Sequence, residues 1–475
     1  MLESFFQAIA FVNDTFLGYV LIAALIISGV YFTIATKWVQ FVRPREMLKL
    51  MLDQGNKNKD NISTFQAFAI STASRVGTGN IAGVALAITV GGPGAIFWMW
   101  LIAVFGAASA FAESTLAQVY KVKSGKQFRG GPAYYIRTAL SNKPLSIAFA
   151  VSLIATFPFV FNSVQSNTIA QSLQTTFNLD PLLSGLILAA LTALIIFGGL
   201  KRIARFSAVI VPVFALAYIA ITLVMMLINI THLPHVLGLI FADAFSWQKL
   251  MAGTLGATVM TGARRGLFSN EAGMGSAPNA AATAQTSHPV KQGYVQAFSV
   301  FLDTLVICSC TAFIVLLADY TKFPGVEGIA LTQAALTSEL GPFGNYFISV
   351  SVLLFAFTSI IGNYYYGQAN VEFLSRRRWV MLCFRMFVCL MILLGAIMQL
   401  KMVWGLADLC MTCMALINIY AILKLRKFVI AALIDYRRQK RRGKDPTFGP
   451  YNVRRIKHAD AWVEEPEVSW PGSNQ

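Results

Sequence analysis

Apolar stretches of about twenty residues recur along almost the whole chain, divided by short polar loops. At about 1.5 Å of rise per residue, a helix of ~20 apolar residues spans the hydrocarbon core of a bilayer. The pattern predicts an all-α integral membrane protein with eleven transmembrane helices. They fall near 15–36, 65–90, 94–120, 145–175, 182–199, 206–230, 251–285, 292–318, 345–370, 379–398 and 403–423. Residues 1–444 form the membrane domain, and 445–475, polar and without an apolar period, read as a cytoplasmic tail with little structure.

The second and seventh spans are not uniformly apolar. The second contains Ser74-Arg75-Val76-Gly77-Thr78-Gly79-Asn80-Ile81-Ala82-Gly83. The seventh contains Gly262, Arg264, Arg265, Gly266, Asn270, Glu271, Gly273 and Gly275 within 262–276. Charges at membrane depth are costly unless paired or hydrated. Backbone leaves the helix there only where protein or a polar cavity satisfies it. Each stretch therefore predicts a discontinuous helix; the competing reading is a kinked helix whose glycines permit close packing. At a break, N–H groups of the second half-helix face an anion, and carbonyls released from the first half face a cation. Five spans separate the two stretches, so one N-terminal helix precedes two halves of five, about 64–230 and 251–424, entering from opposite sides. Interrupted helices at matching places in inverted repeats point to a secondary transporter with its site at the midplane. The halves do not match in sequence; the repeat rests on pattern.

Composition agrees: 56% of residues are hydrophobic and only 12% charged. A net charge of +17 would suggest a nucleic-acid partner in a soluble protein, but its distribution points to a bilayer instead. Lys and Arg crowd alternate loops, from Arg43 and Lys49 through Lys121–Arg137, Lys201–Arg205, Lys291 and Arg376–Arg378 to the Arg437–Lys444 cluster. The opposite loops hold Lys249, Lys322 and Lys401 with Asp180, Asp243, Asp319, Glu327 and Glu339. The positive-inside rule then puts the N-terminus outside and the C-terminus in the cytoplasm. Glu3 and Asp14, without a basic n-region, argue for a retained first span. Six cysteines fall within spans, where burial as small hydrophobes explains them. The four histidines fall in loops or the tail, which leaves no hydrolase constellation in the membrane and no enzyme reading.

At the breaks and beyond, the chain resembles the alanine or glycine:cation symporter family, the sodium:alanine symporters. The matching stretches are VGTGNIAGVA (76–85), GGPGAIFWMW (91–100), GGPAYYI (130–136), RGLFSNEAGMGSAP (265–278) and FAFTSIIGNYYYG (355–367), with GLKRIARF (199–206) and WGLADL (404–409). The resemblance implies a leucine-transporter-type fold in a bacterial cytoplasmic membrane. It also implies cotransport of a small neutral amino acid with Na⁺ as coupling ion and no organic cofactor. It implies a substrate carboxylate at the N–H groups of Thr78 and Gly79, and a substrate ammonium at carbonyls near Ala73, Ser74 and Phe268. Na⁺ would take the carbonyls of Ala73 and Val76 with the hydroxyls of Thr358 and Ser359, and Asn80 and Asn270 would line the pocket. Many members carry Trp where this chain has Asn363. Alanine is the default substrate, and serine, glycine, D-alanine and glutamine stay open.

Several polar residues keep two readings. Gln165 either joins helices or lines the pocket. Glu113, Asp303 and Asp408 are intramembrane carboxylates for which Arg75, Arg264 and Arg265 are partners on offer, as gates or as structural pairs. Glu271 is either a functional carboxylate or an electrostatic support for its break. Beside Na⁺ symport stand proton-coupled symport or exchange, with Glu271 or Asp303 carrying the proton, and, from another class, a channel or a nutrient-sensing receptor. Oligomeric state is not legible.

Overall fold

The structure, a computed structural model, describes residues 17–52, 62–125, 127–197, 200–449, 453, 456 and 458–462, with 200–208 as backbone. Glu3, Asp14, Lys57, Lys59, the side chains of Lys201, Arg202 and Arg205, and most of the 445–475 tail lie outside the described residues.

Helix α1 (Gly18–Ala35) leads into the first interrupted helix, made of α2 (Thr64–Arg75), a π-helical turn (Gly79–Gly83) and α3 (Val84–Gly91). Then come α4 (Gly94–Val119), a hairpin of β1 (Val122–Ser124) and β2 (Gln127–Arg129), and α5 (Pro132–Ala139). Next are α6 (Lys143–Ile154), continuing through a π turn into α7 (Asn162–Phe177), then α8 (Pro181–Ile196) and α9 (Leu200–Ile228). The second half holds α10 (Leu255–Asn270), α11 (Pro289–Phe301), a π turn, α12 (Ser309–Leu317), α13 (Gly328–Leu340), α14 (Pro342–Leu374), α15 (Arg378–Ile397), α16 (Leu400–Lys424) and α17 (Arg426–Arg441). Among the described residues eight helices are long and apolar enough to cross a membrane, and Gly79–Gly91 and Pro181–Ile196 are shorter apolar helices.

Local chemistry sets many of the ends. Ser63 and Gln66 form a reciprocal capping box that starts α2. Asp180 caps α8 with Pro181 in its first turn, and Asn178 closes α7 in the left-handed conformation. Burial separates roles: 67% of the apolar window is covered in α4, in α11–α12 and in α14, against 28% in α15 and 22% in 209–228. The former make the centre; the latter present apolar faces to lipid. α4 packs on α10 and α11, α7 packs on α14 and α15, and the two interrupted helices meet between these groups.

The second interruption lies later than the composition of 262–276 suggests. Gly262–Asn270 stays helical and packs along α4. The chain unwinds only from Glu271, where Glu271, Gly273 and Gly275 take φ of 57°, 84° and 87°, and turns helical again at Pro278–Ala281. Left-handed backbone is what ends the helix, and two of those three positions are glycine. The chain after the last span forms a further helix. Val429, Ala432, Leu433 and Tyr436 make a buried stripe on α17, hidden in the sequence by the surrounding charges. Tyr436 donates to Glu46 (2.6 Å), Lys440 pairs with Glu46 (3.1 Å), and Arg437 donates to the Thr36 carbonyl (2.8 Å). Beyond it Phe448 N–H bonds the Ser287 carbonyl (2.8 Å), and Trp462 bonds the Gln118 carbonyl (2.9 Å). The C-terminal segment is thus a strap across the end of α4 and the start of α11.

One strap contact is pH-sensitive. His288 Nδ1 accepts the Val290 N–H (3.2 Å), so its proton sits on Nε2, facing Asp435 (3.4 Å). Burial holds the imidazole below its ordinary 6.5, against the pull of Asp435. Burial pushes Asp435 up, but hydrogen bonds from His288 and Gln439 outweigh it and hold the carboxyl below 3.8. Both groups bind protons less readily when docked. Their support is therefore complete above pH 6.5 and is lost as pH falls through the lowered values. Amide protection across 426–441, taken relative to the intrinsic exchange rate at each pH, should fall on acidification from about pH 7 to about pH 5; unchanged protection over that range contradicts the assignment.

Candidate functional site: the paired helix breaks

α2 ends at Arg75, Val76 is extended, and the helix resumes at Gly79. Gly77 sits in such close contact that a Cβ would lie 2.2 Å from Ser359 Oγ and 2.9 Å from Gln165 Oε1. Only glycine admits α7 and α14 this near to the main chain. Asn80 Oδ1 accepts the Gly77 N–H (2.9 Å) and so caps the break. The Thr78 N–H donates to Gln165 Oε1 (3.0 Å). A side-chain amide oxygen therefore occupies the acceptor position at the N–H where the family resemblance puts a substrate carboxylate. Gln165 belongs to the break, while neighbouring Asn167 ties α7 to the end of α15 through the Gly395 and Met398 carbonyls.

On the other side of the same residues, oxygens converge. Ser359 Oγ lies 2.9 Å from the Ala73 carbonyl, 3.1 Å from that of Val76 and 3.1 Å from that of Phe355. Thr358 Oγ1 donates to the same Phe355 carbonyl (2.8 Å). One serine proton faces three carbonyl oxygens, all buried. The Phe355 oxygen already takes the Thr358 proton, so the Ser359 proton serves only one of the two break carbonyls, Ala73 or Val76, in a medium where unmatched polar groups are costly. A hard cation accepts such neutral oxygens, so the donor set fits Na⁺. Ala73, Val76 and Ser359 are brought together directly; Thr358 joins them through Phe355. The Phe355 carbonyl is a member that the sequence reading missed. Its signal was the Thr-Ser pair, whose hydroxyls bond back to the carbonyl a turn earlier.

The second break is wired to the first. Ser74 Oγ lies 2.7 Å from Glu271 Oε1 and 2.6 Å from Asn363 Oδ1; Ser276 donates to the other Glu271 oxygen (2.6 Å). Asn363 Nδ2 donates to Asn162 Oδ1 (3.0 Å). Asp303 accepts from Asn80 Nδ2 (2.7 Å), Ser269 (2.8 Å) and Thr304 (3.0 Å), binding both breaks to the turn after α11. Glu113 accepts the Gly273 N–H (3.3 Å) and Asn418 Nδ2 (2.6 Å), holding the unwound segment from α4 and α16. Phe268 packs between Phe161 (4.4 Å) and Trp404 (4.7 Å) with tilted rings, an aromatic wall over the break. Arg265 pairs with Asp408 and lies 4.4 Å over Trp404.

Two expected residues face elsewhere. Asn270 donates to Thr304 (3.1 Å) and accepts the Ala272 N–H (3.0 Å), closing α10 instead of facing the first break. Arg75, fully buried, reaches Gln296 (3.1 Å) and Ser299 on α11, with no carboxylate in contact among the described residues. Gly79 opens the π turn against Phe268 and Ser269.

The sodium:alanine symporter family model matches residues 2–450. The probable sodium/glutamine symporter GlnT of Bacillus subtilis (strain 168) is 51% identical over 437 residues, 92% of this chain and 91% of that protein. The amino-acid carrier protein AlsT of the same organism is 47% identical over 464 residues, 98% of this chain and 99% of that one. The sodium/alanine symporter AgcS of Methanococcus maripaludis is 37% identical over 431 residues, 88% and 94% of the two chains. Among solved structures, MhsT in complex with L-phenylalanine overlaps 79% of this chain and 90% of that one. Its TM-score is 0.57 at 17% identity, a likeness of fold alone. These relatives are transporters, not enzymes, and the chain is a member of the sodium:alanine symporter family.

Proposed function

We propose that the protein is a secondary transporter that imports a small neutral amino acid together with Na⁺ by alternating access. One observation carries the reading. The residues around a single break turn carbonyl oxygens of Ala73 and Val76 toward Ser359 and the N–H of Thr78 toward Gln165. A cation and a carboxylate are thus given adjacent places on one piece of main chain. Na⁺ binds the Ala73, Val76 and Phe355 carbonyls with Ser359 and Thr358. The substrate carboxylate displaces the Gln165 oxygen at Thr78 and reaches Gly79, while its ammonium faces carbonyls at Ser74 and Phe268. Binding to one state more tightly than the other is what couples the two ligands.

Eleven spans, two of them interrupted, divide as one plus five plus five, with the N-terminus outside. The outer closure is the Arg265–Asp408 pair with Trp404 on Phe268. The inner closure includes the Gln285 N–H on the Ile62 carbonyl (3.0 Å) and the strap below it. For the substrate, the Asn162–Asn363 amide pair beside Ser74 offers donors and acceptors where indole would offer bulk. That favours glutamine beside alanine, as does the name of the 51%-identical relative. A second reading, proton coupling, is favoured by Asp303, which is fully buried and, among the described residues, hydrogen-bonded only to neutral groups.

Uptake of labelled amino acids into proteoliposomes, with and without a Na⁺ gradient, tests the whole proposal. Accumulation of alanine or glutamine should need inward Na⁺; accumulation that ignores Na⁺ and follows the pH gradient selects proton coupling instead. Ser359→Ala should raise the Na⁺ concentration for half-maximal uptake by roughly ten- to a hundredfold, the worth of one contact to a charge. Thr358→Ala should act in the same direction and leave thermal stability nearly unchanged; parental Na⁺ dependence in both variants sinks the cation assignment. Asn363→Trp should cut glutamine uptake by about tenfold or more relative to alanine. An unchanged ratio removes Asn363 from the selectivity argument.

A further inference from the structure

Away from the breaks, a recess of about 340 Å³ opens between the β1–β2 hairpin, α5 and the end of α14. Lys123, Arg129, Arg137 and Arg376 line it, with a single acid, Glu372. That acid is already used: Arg129 pairs with one of its oxygens and Gln368 donates to the other (2.8 Å). Lys123, Arg137 and Arg376 have no carboxylate partner among the described residues. Ser124, Thr138 and Ser375 add hydroxyls to the same wall. A charge that merely sets topology needs only the correct side of the membrane. Here cations from three segments, separated by up to some 250 positions, converge on one cavity.

We propose that this recess binds a phosphate ester, with Lys123, Arg137 and Arg376 meeting the phosphate oxygens. A zwitterion's ammonium finds no free carboxylate in it, and a lone carboxylate offers too few oxygens for three cations. Phosphate presents several, and guanidinium forks match them. Tyr134 and Phe373, whose rings meet at 4.9 Å, and Leu374 form an apolar wall suited to the remainder of the ester. The Arg137 guanidinium lies 5.5 Å over the Phe373 ring, which holds it at the rim. Two sources share this chemistry: a phospholipid headgroup of the basic-loop leaflet and a soluble phosphate ester. Either would tie the end of α14, the helix of Ser359 and Asn363, to the hairpin that follows α4.

The test uses the full chain, freed of lipid in detergent, with native mass spectrometry and thermal shift as readouts. The probes are phosphatidylglycerol, glycerol 3-phosphate and, as uncharged control, diacylglycerol. Phosphatidylglycerol should be retained and should raise the melting temperature; diacylglycerol should not. Equal action by glycerol 3-phosphate assigns the soluble source, and its failure assigns the headgroup. Arg137→Ala with Arg376→Ala should weaken retention by roughly tenfold or more. Arg377→Ala with Arg378→Ala, next in the chain but outside the recess, should not. Should the paired variant fail to fold, Lys123→Gln serves, since that side chain is exposed. It should weaken binding about fivefold and leave the unliganded melting temperature unchanged. The proposal falls if neither phosphate probe binds the parent. It also falls if the recess variants bind as the control pair does.

Discussion

Everything at the centre of this protein follows from one constraint: main chain that leaves the helix inside a membrane must have every polar group answered by protein or ligand. Between Arg75 and Gly79 the answers come from other helices. Gln165 takes the Thr78 N–H, Asn80 takes that of Gly77, and Ser359 faces the Ala73 and Val76 carbonyls. The contacts are close because Gly77 has no side chain to hold α14 away. The accounting is incomplete in one respect, since the Ser359 hydroxyl brings one proton to the carbonyls of both Ala73 and Val76. That shortfall gives a cation something to do.

The second break obeys the same rule with different groups. Three carboxylates answer it: Glu113 at the Gly273 N–H, Glu271 between Ser74 and Ser276, and Asp303 between Asn80 and Ser269. None has an ion-pair partner in contact among the described residues; each is held by neutral donors. Hydrogen bonds from neutral groups keep a buried carboxylate tolerable without fixing its charge. Arg265, by contrast, is paired with Asp408 and capped by Trp404, at the end of the site opposite the strap. The polar wiring therefore divides into an ion-paired closure and a centre whose carboxylates are answered by neutral donors, and a centre of that kind can accept a zwitterion.

Much of this was legible in the chain. Glycine, asparagine and arginine inside an apolar run have few explanations in a bilayer, so the existence of both interruptions is legible, though not the exact start of the second. The leucine-transporter-type fold and the family followed from the motifs around them. What was not legible has physical reasons. Composition cannot tell a packing glycine from one with left-handed backbone, so Gly262 and Gly266 were read as part of a break they do not make. Helix phase decides where Asn270 and Arg75 point, and each points away from the first break. The Phe355 carbonyl carries no side-chain signature, although the hydroxyls of Thr358 and Ser359 mark it. The buried stripe of α17 was masked because its apolar residues sit among six Lys and Arg.

Coupling between the proposed ligands needs no moving part beyond the peptide units of the first break. The Val76 carbonyl and the Gly77 N–H belong to one peptide. The carbonyl faces Ser359, and the N–H donates to Asn80, whose own amide donates to Asp303. A cation on that carbonyl polarises the peptide and strengthens the N–H donation beyond it, as hydrogen-bonded chains do. The effect reaches the second break through Asp303 and Ser269, and from the next peptide the Thr78 N–H is presented to a carboxylate. Without a cation, Gln165 satisfies that N–H and the site can rest closed. With one, the break is more rigid and its donor stronger, so a substrate carboxylate competes with the Gln165 amide on better terms. The geometry that tolerates an unwound helix in a membrane is, on this argument, the same geometry that makes the two ligands depend on each other.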